Sequence, residues 1–138
     1  MLTALFPVLA TDRLSASRSF YEDHFGLRAV FVADWYVHLA HPESPSLQLG
    51  LVAAGHASIP FRQQQPNGAA IVTMQVDDVD AAFDALGRSN ARLLDNPRDE
   101  PWGQRHFFAL DPAGFLVDVV MLIEPAAECA SAYAGSPP

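Results

Sequence analysis

Apolar and polar positions along this chain fall into two successive sets of the same kind. Residues 2–9 are a short apolar run that reads as a strand, closed by Ala10-Thr11-Asp12. Ser15 is placed to cap a helix on which Ala16, Phe20, Tyr21, His24 and Phe25 recur near helical spacing, and Gly26 stops it. Residues 27–33 and 35–41 read as strands joined at Asp34. After a turn over residues 41–45, residues 46–53 form a third strand. The order is β-α-β-β-β.

Residues 55–68 differ in character, with Pro60, Pro66, Gly68 and three successive glutamines, and read as a linker crossing the surface. Phe61 within it is a packing anchor or a lid residue. The earlier pattern then recurs. Residues 69–76 form a strand, Asp77-Asp78 cap a helix, and Val79, Ala82, Phe83 and Leu86 fall on one helical face. Residues 92–94 are a strand and residues 96–103 a loop. Two apolar strands then flank the turn Asp111-Pro112-Ala113-Gly114, where Pro fixes φ and Gly closes the turn.

The strand–Asp–helix units lie about 65 residues apart, an internal duplication carried by pattern rather than identity. The expected organisation is one domain over residues 1–125: module 1 (1–54), the linker (55–68) and module 2 (69–125). Residues 126–138 are expected to be a mobile tail. The fold class is α+β, two βαβββ modules each laying one helix across one face of a sheet.

Alternation then sorts side chains between faces. In residues 46–51 the leucines take the helix side and Ser46, Gln48 and Gly50 the other. Tyr36 and His38 stand opposite Val37 and Leu39. In the last strand Leu116, Asp118 and Val120 stand opposite Val117, Val119 and Met121. Two curved sheets would enclose a cavity lined by Gln48, Asp118, Thr73, Gln75, Tyr36 and His38, apolar walls with a few polar groups, as in small-ligand pockets.

Asp118 is the sharpest signal, because a lone carboxylate in a seven-residue apolar run needs a partner, a ligand or water. His38 is either a strand histidine satisfied by a neighbour or a ligand contact. Trp35 and Trp102 sit beside turns, where rings pack or project into a cavity mouth. His106 alternates with Arg105, and the sequence leaves open which of them faces inward.

Composition narrows the classes. The chain has 138 residues, half of them hydrophobic and 17% charged, enough for one cored domain. The formal charge of −8, with no lysine and eight scattered arginines, argues against nucleic acid as a partner. No apolar run reaches transmembrane length, so no membrane association is expected. The N-terminus lacks a basic signal-like region, and Cys129 is the single cysteine; both fit a cytoplasmic protein.

Pro101-Trp102-Gly103, Arg105 and Phe107, then Asp111-Pro112 with Gly114, then Asp118 four residues on, resemble the second half of the glyoxalase/bleomycin-resistance/dioxygenase proteins, the vicinal oxygen chelate superfamily. Thr11-Asp12, Phe20-Tyr21, His24-Phe25-Gly26 and Val76-Asp77-Asp78-Val79 extend the resemblance from Leu5 to about Ile123. It implies paired βαβββ modules forming a half-barrel cavity, usually in a homodimer. Enzymes of that family bind a divalent metal through four strand positions, which match Leu5, Gln48, Ile71 and Asp118 here. Leu5 and Ile71 cannot ligate, and two oxygen ligands are too few for Zn²⁺, Ni²⁺ or Fe²⁺, so no metal or other cofactor is expected.

The resemblance then points to the metal-free, drug-sequestering branch. The reading is a cytoplasmic homodimer that binds a small aromatic or cationic molecule, of antibiotic-resistance type. Trp35, Tyr36, Phe61 and Trp102 would supply its walls. Gln48, His38, His106 and Asp118 would supply its polar contacts. The alternative is a lyase, isomerase or dioxygenase using a divalent metal at an unconventional site, or acid–base work by His38, His106 and Asp118. A module serving a larger complex is a third reading, weakened because no amphipathic stretch or charge run is left over for a partner.

Overall fold

The computed structural model describes residues 1, 4, 6–58 and 70–132. The chain divides into two compact units, residues 1–69 with 112–114, and residues 70–111 with 115–138.

Unit 1 runs β1 (Val8–Thr11), α1 (Leu14–Phe25), β2 (Arg28–Val32), β3 (Tyr36–His41), β4 (Ser44–Ala53). Its sheet has the order β1-β4-β3-β2, with β1 and β4 parallel and the other pairs antiparallel. Leu9, Val37, Leu39, Leu49 and Leu51 are buried on one face, with Phe20 and Tyr21 of α1. Each such aliphatic side chain contributes about 1.5–3 kcal/mol by leaving water.

Two local expectations are corrected in unit 1. Ser15 does not cap α1; the helix starts at Leu14, and its N-cap residue, Arg13, makes no side-chain capping bond. The Thr11 hydroxyl instead accepts from Arg13 N (3.0 Å) and bonds Ser17 Oγ (2.8 Å), which secures the strand–helix corner. Leu47 does not reach the helix side and is 57% exposed. It lies in the irregular stretch between the Ala40–Gln48 and His41–Ser44 pairs, where alternation breaks. Gly26 ends α1 at φ 70°, the left-handed closure expected of it.

Unit 2 runs β5 (Ile71–Gln75), α2 (Val79–Arg88), β6 (Arg92–Leu93), β7 (Arg98–Glu100), β8 (Gln104–Leu110), β9 (Leu116–Leu122), and then the short helix α3 (Ala127–Ala130). The sheet order is β5-β9-β8-β6, with β7 also on β8 and β5 parallel to β9. With β7 set aside as an added strand on β8, each unit traces the same β-α-β-β-β path with its first and last strands parallel, an α+β fold. Asp78 caps α2 by accepting from Ala81 N at 3.0 Å. The β8–β9 turn is pinned by Asp111, whose backbone N donates to Phe115 O and whose Oδ1 accepts from Phe115 N, both at 2.9 Å.

Among the described residues the one unexpected strand is β7, inside the stretch 96–103 read as loop. Arg98, Asp99 and Glu100 offer no apolar alternation, yet pair with His106, Arg105 and Gln104. Beyond β9, Ile123 N and Ala126 N donate to Gly103 O (3.0 Å) and Pro101 O (2.8 Å), fastening the start of the expected tail. Among the described residues no helix is long and apolar enough to cross a membrane.

Candidate functional site

Each unit carries a polar cluster on one face of its own sheet. In unit 1, β3 and β4 pair His38 with Gly50 and Ala40 with Gln48, so alternation sets Tyr36, His38, Gln48 and Gly50 on one face. Buried Val37, Leu39, Leu49 and Leu51 take the other. Tyr36 Oη lies 2.8 Å from His38 Nδ1, and His38 Nε2 lies 2.7 Å from Gln48 Oε1. Gln48 Nε2 donates to Pro45 O at 3.0 Å. His38 is therefore satisfied on both ring nitrogens. Burial holds the Tyr36 phenol above its ordinary pKa.

Rings surround that chain. Phe6 meets His38 edge-on at 4.6 Å, and Phe31 lies 6.1 Å from Tyr36. Trp35 is half-buried and stacks flat on His56, with centroids 4.1 Å apart and planes at 8°. Phe61 lies outside the described residues.

In unit 2 the partner of Asp118 is His106. Phe108 pairs with Asp118 and His106 with Val120 across β8 and β9, so His106 and Asp118 share a face. His106 Nδ1 lies 2.8 Å from Asp118 Oδ1, and its Nε2 lies 3.1 Å from Glu100 Oε1. His106 is 4% exposed. Arg98 Nε donates to Glu100 Oε1 at 2.7 Å, and Arg98 also pairs with Asp95. Asp95 Oδ1 accepts from Phe108 N at 2.7 Å, which ties the set to the strand. The hydrogen bond from His106, and then that from Arg98, holds the Glu100 carboxyl below the usual carboxylate range. Ionised carboxylates only accept, so both contacts are met in full when both ring nitrogens of His106 carry hydrogen.

The choice between His106 and Arg105 is thereby resolved. Phe107 packs edge-on against Phe83 of α2 at 5.2 Å, and Arg105 on the same side bonds Asp80 of α2 at 2.8 and 3.0 Å. His106 therefore faces away from the helix, with Asp118. Thr73 pairs with Asp118, so β5 sets it and, by alternation, Gln75 on that face too. Trp102 is 45% exposed, donates through Nε1 to Gln104 Oε1 (2.9 Å) and lies 6.3 Å from the His106 ring. Glu100, Arg98 and Asp95 were missed in the sequence; the charge alternation in 98–100 is the only signal.

The positions matched to metal ligands do not fit a metal. Ile71 is aliphatic and pairs with Leu116, not Asp118. The Gln48 oxygen is engaged by His38, and the Asp118 oxygen by His106. Leu5 lies outside the described residues. Among the described residues no three His, Cys, Asp or Glu side chains are grouped to hold an ion.

Two βαβββ units, each closed by a parallel first and last strand, define a protein of the vicinal oxygen chelate type. The chain belongs to the Glyoxalase/Bleomycin resistance protein/Dioxygenase superfamily, whose profile matches residues 4–119. Solved structures share the fold. A superfamily member from Sphaerobacter thermophilus is 20% identical (TM-score 0.72, 88% of this chain and 98% of that one). A lactoylglutathione lyase from Agrobacterium tumefaciens is 23% identical (TM-score 0.67, 87% and 94%). A glyoxalase/bleomycin resistance protein/dioxygenase from Nocardioides is 20% identical (TM-score 0.70, 100% and 89%). No curated protein matches the sequence significantly.

Proposed function

We propose that this protein binds a small aromatic or cationic molecule without a metal or other cofactor, as sequestering resistance proteins do. The observation carrying the reading is the set built on His106. Three carboxylates (Asp95, Glu100 and Asp118) face one guanidinium and one imidazole, all mutually bonded, beside the exposed ring of Trp102. Surplus negative charge next to an aromatic plane favours a planar cation. A reaction by general acid–base catalysis is less well supported, because both nitrogens of His106 and both of His38 are already engaged. The aliphatic Ile71 likewise gives a metal-dependent lyase or dioxygenase little to build on.

Titration with ethidium, a planar aromatic cation, followed by tryptophan quenching, tests the proposal. Wild-type protein with and without chelator should bind equally, and Asp118→Asn should bind about tenfold more weakly, one charge-assisted contact being worth about 1.5 kcal/mol. The variant should melt close to wild type, because Asn keeps an oxygen for His106. Equal affinity in wild type and variant would remove Asp118 from the site. Dependence on an added metal would bring the enzyme reading forward.

We also propose a homodimer. The edge strand β2 exposes Val30, Phe31 and Val32 consecutively, apolar surface of a kind that a second copy covers. Light scattering should return twice the chain mass, about 30 rather than 15.0 kDa. A monomer at micromolar concentration would discard it.

A further inference from the structure

The direction of each hydrogen bond in the unit 1 chain can be derived from its far end. The Pro45 carbonyl only accepts, so the Gln48 amide must turn its NH₂ group toward it. The Gln48 oxygen then faces His38 Nε2 at 2.7 Å and accepts, which places the hydrogen of the neutral ring on Nε2. Nδ1 is left with a bare lone pair, and Tyr36 Oη, 2.8 Å away, must donate to it. A phenol has one proton. A phenol titrates near about 10 and is protonated through the physiological range, with burial raising it further, and the bond to His38 commits that single proton inward. What remains on Tyr36 is a pair of acceptor sites.

We infer that Tyr36 meets the ligand only as a hydrogen-bond acceptor, so the unit 1 face selects a donating group, such as an amidinium, an ammonium or a heterocyclic N–H. The inference rests on the ligand-binding reading and adds what kind of group is bound and by which atom. The surroundings fit. Tyr36 and His38 are half-buried rather than sealed, and Phe6 and Phe31 offer rings beside them. Gly50 leaves the space that the Tyr36 hydroxyl occupies, since a Cβ there would stand 2.5 Å from Oη. His38 and Gln48 act as positioning residues; Tyr36 makes the contact.

Benzamidine and benzoate are near-isosteric probes, the first all donors and the second all acceptors. Each is titrated into ¹⁵N-labelled protein and followed by amide shifts. Benzamidine should move the amides of Tyr36, His38 and Gly50. Its affinity should fall about fivefold in Tyr36→Phe, the worth of one hydrogen bond, with benzoate unchanged. Comparing wild type with Tyr36→Phe cancels the effect of net charge, which is the same in both. His38→Leu frees the Tyr36 proton to point outward and should raise benzoate relative to benzamidine, a change that a merely structural histidine would not cause. Equal loss of both probes in Tyr36→Phe, no loss in it, or no shifts in unit 1 would overturn the inference. Benzamidine shifts confined to the Asp118 face would do so while leaving the proposed binding function standing, whereas absence of ethidium binding by the wild-type protein would tell against that function instead.

Discussion

His106→Leu is expected to lower the unfolding free energy by about 2–3 kcal/mol. Leucine is close to histidine in volume, so little of this comes from packing. The loss comes from the carboxylates. Asp118 is 15% exposed at its side chain and accepts from His106 at 2.8 Å; leucine takes that donor away from a carboxylate set in a mostly apolar strand. Removing one partner of a well-buried ion pair costs about 3–5 kcal/mol, and the residual access of water to Asp118 lowers the figure. Glu100 fares better, because Arg98 still donates to it.

The pH dependence of that variant carries its own sign. Glu100 has a folded-state pKa below its ordinary value, with His106 the first cause. A depressed carboxylate contributes stability that is present above the ordinary glutamate range of about 4.3 and lost as pH falls through the lower folded value. Wild-type protein should therefore lose melting temperature on acidification below about pH 4, and His106→Leu should show a shallower acid limb. Urea unfolding at pH 7 and melts between pH 3 and 7, set as approximate limits, supply both readings. Undiminished stability in the variant would show that the contacts of His106 with Asp118 and Glu100 contribute nothing net.

Asp118 illustrates what the chain discloses by pattern. A carboxylate inside Leu116–Leu122 is conspicuous because its neighbours are apolar, and the demand for a partner follows from desolvation alone. The partner's identity does not follow. Arg105 and His106 are both plausible on an aromatic strand, and only the seating of Phe107 on Phe83 settles which one turns toward Asp118. Glu100 was invisible for the opposite reason. Arg98-Asp99-Glu100 has no apolar face to alternate, so nothing marks it as a strand until β8 pairs with it. Leu47 shows the converse failure, where a clean leucine alternation continues through a stretch whose register slips. The βαβββ order survived these misses because long apolar runs and the turn residues Gly26 and Gly114 fix it, and neither depends on distant contacts.

Gly50→Val is expected to cost about 3 kcal/mol and to dismantle the unit 1 hydrogen-bond chain with it. Strand propensity alone predicts the reverse, since glycine weakens a strand interior by about 0.5–1 kcal/mol and valine favours it. Space decides the sign. β4 is flanked by β1 and β3, and Gly50 pairs with Val8 on one side and His38 on the other. A Cβ at position 50 would stand 2.5 Å from Tyr36 Oη and 2.8 Å from Val8 Cγ2, both closer than real contacts allow. Val8 is 47% exposed and can turn aside. Tyr36 cannot turn without releasing His38 Nδ1, and His38 is itself held by Gln48. The clash is therefore transmitted along three side chains instead of being absorbed by one. Removing the obstructing ring tests this directly. In a Tyr36→Ala background Gly50→Val should be nearly neutral, giving a coupling energy of about 2–3 kcal/mol between the two positions by double-mutant cycle. An additive double mutant would mean that the cost of Gly50→Val lies in the backbone or in Val8, and that the Tyr36–His38–Gln48 chain does not depend on the missing side chain of Gly50.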